Sequence, residues 1–345
     1  MVKVGISMGD PNGVGPEIIL KAFNDARLFD DLVPVVYGCS SILSHYKKLI
    51  PNYNIKYTKI SSVDNISNKQ INVITVWEEE EFIIQPGKAT PDGGQFSFMA
   101  LEAATADLAS GKIDVLITAP INKKTIQSDN FQFPGHTEYL TKMSNAEDSL
   151  MLMVLNDLRV GVATNHIPVS AISSSLSIDL ICSKVSILNQ SLITDFGVTK
   201  PKIAVLGLNP HAGENSLIGV EEAEIIKPAI EKIKTTGVLA FGPFPADGFF
   251  GSNTISSYDG ILAMYHDQGL IPFKSIAVGN GVNYTAGLPI VRTSPDHGTA
   301  YDISGKNKAS ANSLRNAIYL ACDIYKQRAF QKQINENPLK LGLNK

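Results

Sequence analysis

The chain has 345 residues, 44% hydrophobic and 18% charged, with a formal net charge of -3. This is an ordinary globular balance, large enough for one large or two medium domains. With no basic surplus to hold a phosphate backbone, it argues against nucleic acid as a partner, but a few focused cations could still hold a small anion.

In chain order, an apolar strand over Lys3–Met8 comes first, without the charged start and long apolar stretch of a signal peptide. Asp10–Glu17 reads as a tight strand-to-helix turn with Pro16 suited to the first helical turn, and it is neither GxGxxG nor a P-loop. Strands are expected at Val33–Tyr37 and Ile71–Val76, a polar loop at Ile60–Gln70, a helix at Gly93–Ala109 and a strand at Asp114–Thr118. Ser149–Leu155 and Leu158–Ala163 flank Asn156-Asp157 and read as a tight hairpin. Strands follow at Lys202–Leu208, Val238–Phe241 and Gly260–Tyr265, with an amphipathic helix over Val220–Lys234 and a polar tail over Gln331–Lys345. Strands alternating with helices imply a mainly parallel sheet covered on both faces, which the hairpin makes mixed. Cys39, Cys182 and Cys322 are widely spaced and odd in number, so a reducing compartment fits better than a disulfide framework. No apolar run approaches a membrane span, so a cytoplasmic location without a membrane partner is expected.

Chemistry-bearing residues gather after the strands, where ligands bind in open α/β sheets. His166, His211 and His266 each follow an apolar strand beside Asn, Pro or Asp. Three neutral imidazoles can hold a divalent ion, although each could equally be a hydrogen-bonded loop histidine. His136 lies in Phe133-Pro134-Gly135-His136-Thr137-Glu138, a turn before a helix start that is either a capped helix or an anion seat. Lys274 and Arg292 are cations in apolar surroundings, which requires an anion, either an internal carboxylate or a bound phosphate. Asn283 between them could add a neutral donor, and Asp247 and Asp267 could support the histidines, carry protons or merely cap turns.

Six ordered stretches resemble the 4-hydroxythreonine-4-phosphate dehydrogenase family over about Val4 to Tyr325. They are Ser7–Glu17, Thr118–Lys123, Phe133–Glu138, Gly207–Glu214, Gly242–Asp247 and Tyr265–Gly269. The resemblance implies a three-layer α/β/α fold like that of isocitrate and isopropylmalate dehydrogenases, with two domains and the active-site cleft between them. Residues 1–130 plus 285–345 would form the cofactor-side domain, and 131–284 the domain of the metal site and dimer contacts. It implies a homodimer with a shared active site, one divalent metal (zinc, cobalt or magnesium) on His166, His211 and His266, and substrate contacts from His136, Thr137, Lys274, Asn283 and Arg292. Asp247, then Asp267, would be the proton acceptor. His297–Lys306 is similar to the loop that holds the adenosine part of NAD or NADP in the wider group, so His297, Gly298, Thr299 and Asp302 become cofactor candidates, with Tyr301 in place of the usual Pro.

The activity implied is NAD(P)-dependent oxidation of 4-phosphooxy-L-threonine to 2-amino-3-oxo-4-phosphooxybutanoate. Decarboxylation then yields 3-amino-2-oxopropyl phosphate for pyridoxal 5'-phosphate synthesis. Rival readings are a related dehydrogenase of another phosphorylated or chelating alcohol, a phosphate acyltransferase, and a non-catalytic metal-binding module.

Overall fold

The computed structural model describes residues 1–78 and 82–336. Its first half holds β1 (Val2–Ser7), α1 (Gly15–Ala22), β2 (Leu32–Gly38), α2 (Ser40–Lys47), β3 (Tyr57–Ile60), β4 (Ile71–Thr75), α3 (Pro91–Ala109), β5 (Val115–Thr118), α4 (His136–Met143), β6 (Leu150–Leu155) and β7 (Leu158–Thr164). The second half holds α5 (Ile172–Ser175), α6 (Ile178–Thr194), β8 (Lys202–Leu206), α7 (Lys227–Lys234), β9 (Leu239–Phe244), α8 (Ala246–Phe250), β10 (Gly260–Tyr265), α9 (His266–Ala277), β11 (Val282–Ala286), β12 (Arg292–Pro295) and α10 (Asn312–Glu336).

All twelve strands form one sheet in the order β3-β4-β2-β1-β5-β12-β11-β6-β7-β10-β8-β9. Pairing is parallel throughout both wings and antiparallel only at the centre, between β12 and β11, β11 and β6, and β6 and β7. The β6–β7 pair is the expected hairpin, with Asn156 in the left-handed conformation (φ 50°) that such a turn needs. The inner wing strands bury both faces, as in β2, where every residue is buried, because helices cover the sheet on either side. No single described helix is long and apolar enough to cross a membrane.

Four expectations are corrected. The strands β3, β11 and β12 lack a continuous apolar run and were not anticipated; Ile60, read as loop, closes β3. The helix expected over Val220–Lys234 begins with a π-type turn at Glu222–Ile226 before α7. The polar tail expected from Gln331 is helical through Glu336, because it continues α10, and the rest of that tail lies outside the described residues. Arg292, read as ending an apolar run, instead opens β12.

Candidate active site

The central strands put their chemistry on one face. Alternation along a strand directs residues two apart to the same side. Arg292 and Ser294 of β12, Asn283 of β11, and Met151 and Met153 of β6 therefore share a face, and all line one cleft of about 240 Å³. The end of β5, the start of α4, and the histidines after β7 and β10 close its sides.

Arg292 is 2% exposed. Its Nε and Nη2 donate to Thr118 Oγ1 at 3.1 and 2.6 Å, and its Nη1 to Thr285 Oγ1 at 3.1 Å. Among the described residues no carboxylate forms an ion pair with it, which rules out the internal salt bridge that the sequence left open. Burial lowers its pKa to about 10, opposed by the charge of Glu138, so it remains a cation at neutral pH. A buried guanidinium satisfied only by hydroxyls retains its charge for an anion.

Other unsatisfied groups face the same space. His136 is the first residue of α4, which Gly135 precedes in extended backbone (φ 179°). Burial, and then the charges of Arg292 and Lys123, push its pKa well below the usual value, so the ring is neutral. His136 Nε2, Asn283 Oδ1 and Glu138 Oε2 are buried without partners. Buried polar atoms rarely stay unpaired, so this cluster marks where a polar ligand belongs. Thr137 also lines the cleft, and so does Lys274, which is exposed rather than buried in the apolar surroundings expected from sequence; its Nζ donates to the Asp296 backbone carbonyl at 2.9 Å.

At the other end, the rings of His166 and His266 are 5.7 Å apart. Asp267 Oδ1 lies 2.7 Å from His266 Nδ1. A carboxylate on Nδ1–H fixes the tautomer that leaves Nε2 free as a ligand. Lys123 Nζ approaches His166 Nε2 at 3.0 Å, and Glu138 Oε1 stands 3.8 Å from His166 Nδ1. The approach of His166 holds the Glu138 carboxyl below its ordinary range against the opposing effect of burial. Lys123 and Glu138 were not singled out from sequence, although Glu138 follows His136 and Thr137 and Lys123 ends one of the six stretches that carry the resemblance.

His211 is not brought to this pair. It is exposed, five residues beyond the end of β8, and does not line the cleft. Asp247 is likewise exposed and outside the cleft, on α8, which packs against the turn holding His211. Among the described residues no three metal-binding side chains of one chain converge. The two facing imidazoles thus fit two positions around a divalent ion, and further ligands would have to come from outside the chain.

The His297–Lys306 segment covers the turn after β1. Val14 N donates to Thr299 O at 3.0 Å, Ser304 Oγ to Asn12 O at 2.7 Å, and Tyr301 Oη to Asp10 Oδ2 at 2.5 Å. Asp10 is fully buried, and burial raises its carboxyl pKa. Tyr301 therefore ties this loop to a buried acid, a bond that Pro could not make. His297 and Gly298 reach the rim of the cleft, whereas the Asp302 side chain faces solvent.

Residues 30–321 match the family described as "Pyridoxal phosphate biosynthetic protein PdxA". The chain belongs to this family. It is 45% identical over 340 residues to a 4-hydroxythreonine-4-phosphate dehydrogenase of Bacteroides thetaiotaomicron, covering 98% of this chain and 93% of that one. A D-threonate 4-phosphate dehydrogenase of Pectobacterium atrosepticum is 36% identical over 93% of this chain and 98% of its own. Among solved structures, 4-hydroxythreonine-4-phosphate dehydrogenase of Klebsiella pneumoniae superimposes with a TM-score of 0.82 at 35% identity, over 94% of this chain and all of that one.

Proposed function

We propose that the chain is a metal-dependent, NAD(P)-dependent dehydrogenase that oxidises C3 of 4-phosphooxy-L-threonine in pyridoxal 5'-phosphate synthesis. The observation that carries this reading is the buried, unpaired Arg292 in the same cleft as the facing pair His166 and His266. The 4-hydroxythreonine-4-phosphate dehydrogenases among its relatives supply the substrate.

Arg292 and Lys274 would hold the phosphate by charge, and Thr137 and neutral His136, in its Nε2–H form, would complete the contacts. Asn283 would turn to present its Nδ2–H donors to the phosphate in place of its orphan oxygen. These contacts would hold C3 toward the histidine end of the cleft. His166 and His266 would hold a zinc, cobalt or magnesium ion, which when bound acts as a Lewis acid at the C3 hydroxyl. The His297–Lys306 loop would seat the adenosine end of NAD or NADP, which when bound would supply the hydride acceptor. The hydroxyl proton needs an acceptor within hydrogen-bond reach. Asp267 is engaged with His266, so Asp247, presented with His211 by a second copy, is the better candidate. The β-keto acid formed would lose carbon dioxide to give 3-amino-2-oxopropyl phosphate.

The same placement supports a homodimer in which His211 of each copy completes the other's site; a cytoplasmic location stays part of the proposal. The division into residues 1–130 plus 285–345 and residues 131–284 stays part of the proposal: an antiparallel centre lies between two parallel wings, although the 284/285 boundary falls within β11. The deciding assay follows NADH or NADPH with 4-phosphooxy-L-threonine and a metal series. Because one relative is a D-threonate 4-phosphate dehydrogenase, that compound belongs in the panel. Turnover of 4-phosphooxy-L-threonine above all rivals supports the proposal, and turnover of only another alcohol overturns it.

A further inference from the structure

Glu222 is 2% exposed, and among the described residues no cation pairs with it. Its partners are all N–H groups of the loop leading to His211. Glu222 Oε1 accepts from Leu208 N and Asn209 N, both at 2.7 Å, and Oε2 accepts from Asn209 Nδ2 at 2.9 Å. The strand β8 stops at Leu206, so these backbone donors have left the ladder and need another acceptor.

Three further features fit a carboxylate at this point. The π-type turn at Glu222–Ile226 begins with this residue, and such turns interrupt helices where a side chain must be re-aimed. Gly213 has φ 82°, and a Cβ there would lie 2.7 Å from Glu222 Oε2. A Cβ at Gly207 would lie 3.1 Å from Glu222 Oε1, so the carboxylate is packed against glycine backbone on both oxygens. Beyond Asn209, residues His211 through Ser216 all have positive φ, from 41° to 82°. L residues enter this region singly rather than in runs, so the turn needs outside support.

We infer that Glu222 is a positioning residue: its carboxylate anchors the turn that carries His211 out of its own chain toward the site of a second copy. The inference rests on the reading of His211 as a metal ligand. It assigns Glu222 no contact with metal or substrate.

The test is a titration of the full-length protein with Co(II), followed by its visible absorption and by calorimetry. Wild type is compared with Glu222→Ala, Glu222→Gln and His211→Ala, and inorganic phosphate binding serves as a control at the Arg292 end. Glu222→Ala should weaken Co(II) binding about tenfold or more, as second-layer substitutions do. Glu222→Gln, which keeps the Oε1 acceptor, should fall between, and phosphate affinity should stay within about twofold. Wild-type Co(II) affinity in Glu222→Ala, with loss in His211→Ala, would overturn the positioning role alone. Wild-type affinity in His211→Ala would remove the ligand reading, and the inference with it. If Glu222→Ala fails to fold, Glu222→Gln decides: Co(II) binding weakened several-fold with phosphate affinity kept supports the role, and wild-type binding overturns it.

Discussion

Arg292 and His211 place opposite demands on the fold. Arg292 lies on a central strand, 2% exposed, with three of its donors held by Thr118 and Thr285. His211 lies on a left-handed turn at the surface, held from behind by Glu222 through Leu208 and Asn209. On the proposed reading, the anion end of the cleft is finished within one chain, whereas the metal end is half built. A rigid sheet suits the first task, because a buried cation tolerates little displacement. A projecting loop suits the second, because in the proposed dimer its ligand would have to cross a subunit boundary.

The largest effect should come from the finished end. Arg292→Ala should lower kcat/KM for the phosphorylated substrate on the order of a hundredfold or more, and much less for an unphosphorylated analogue. An equal loss on both would break the contrast, since Arg292 would then not hold the phosphate. At the half-built end, Asp267→Ala should weaken metal binding by roughly tenfold or more, because His266 loses the partner that sets its tautomer. Calorimetric titration with zinc reads this directly, and unchanged affinity would remove Asp267 from the metal site.

His136 gives a pH signature of the finished end. Its folded pKa is depressed by burial, so the folded state binds a proton less readily than the unfolded one. Its contribution to stability is therefore complete above about pH 6.5 and is lost as pH falls below that value. Chemical denaturation of His136→Gln should show a flatter pH dependence between about pH 5 and 6.5 than the wild type. The smallest effect is expected from Lys123→Met. A neutral imidazole with its proton on Nδ1 has one lone pair, at Nε2, and Lys123 Nζ sits 3.0 Å from that atom of His166. Removing the lysine should tighten metal binding by up to about tenfold, since exposed polar contacts are worth little. Weaker binding in the variant would mean that Lys123 supports the site instead of competing for it.

Much of this was legible in the sequence, and the exceptions have a common cause. Strands β1, β2, β5, β8 and β10 are apolar runs because both their faces are buried, so periodicity finds them. Strands β11 and β12 read Val-Asn-Tyr-Thr-Ala and Arg-Thr-Ser-Pro, because one face of each lines the cleft, and polar function hides the strand signal. The candidate residues His136, Asn283, Lys274 and Arg292 were named individually from charge and turn chemistry, and the resemblance joined them. Neither could show that His166 and His266 face each other while His211 stands apart, since that separation depends on where the turn after β8 leaves the sheet. Lys123 and Glu138 escaped because their roles are defined by His166, a contact across 43 and 28 residues of sequence.

The measurement that bears most directly on a site completed by a second copy is subunit complementation. His211→Ala and His266→Ala chains, each inactive alone, are co-expressed in equal amounts and assayed as the assembled protein. Heterodimers then carry one site with all three histidines intact and one with two removed. The mixture should recover about a quarter of wild-type turnover, because about half of the dimers are mixed and each has one working site of two. Activity no higher than that of either parent would contradict the account and place His211 with the histidines of its own chain.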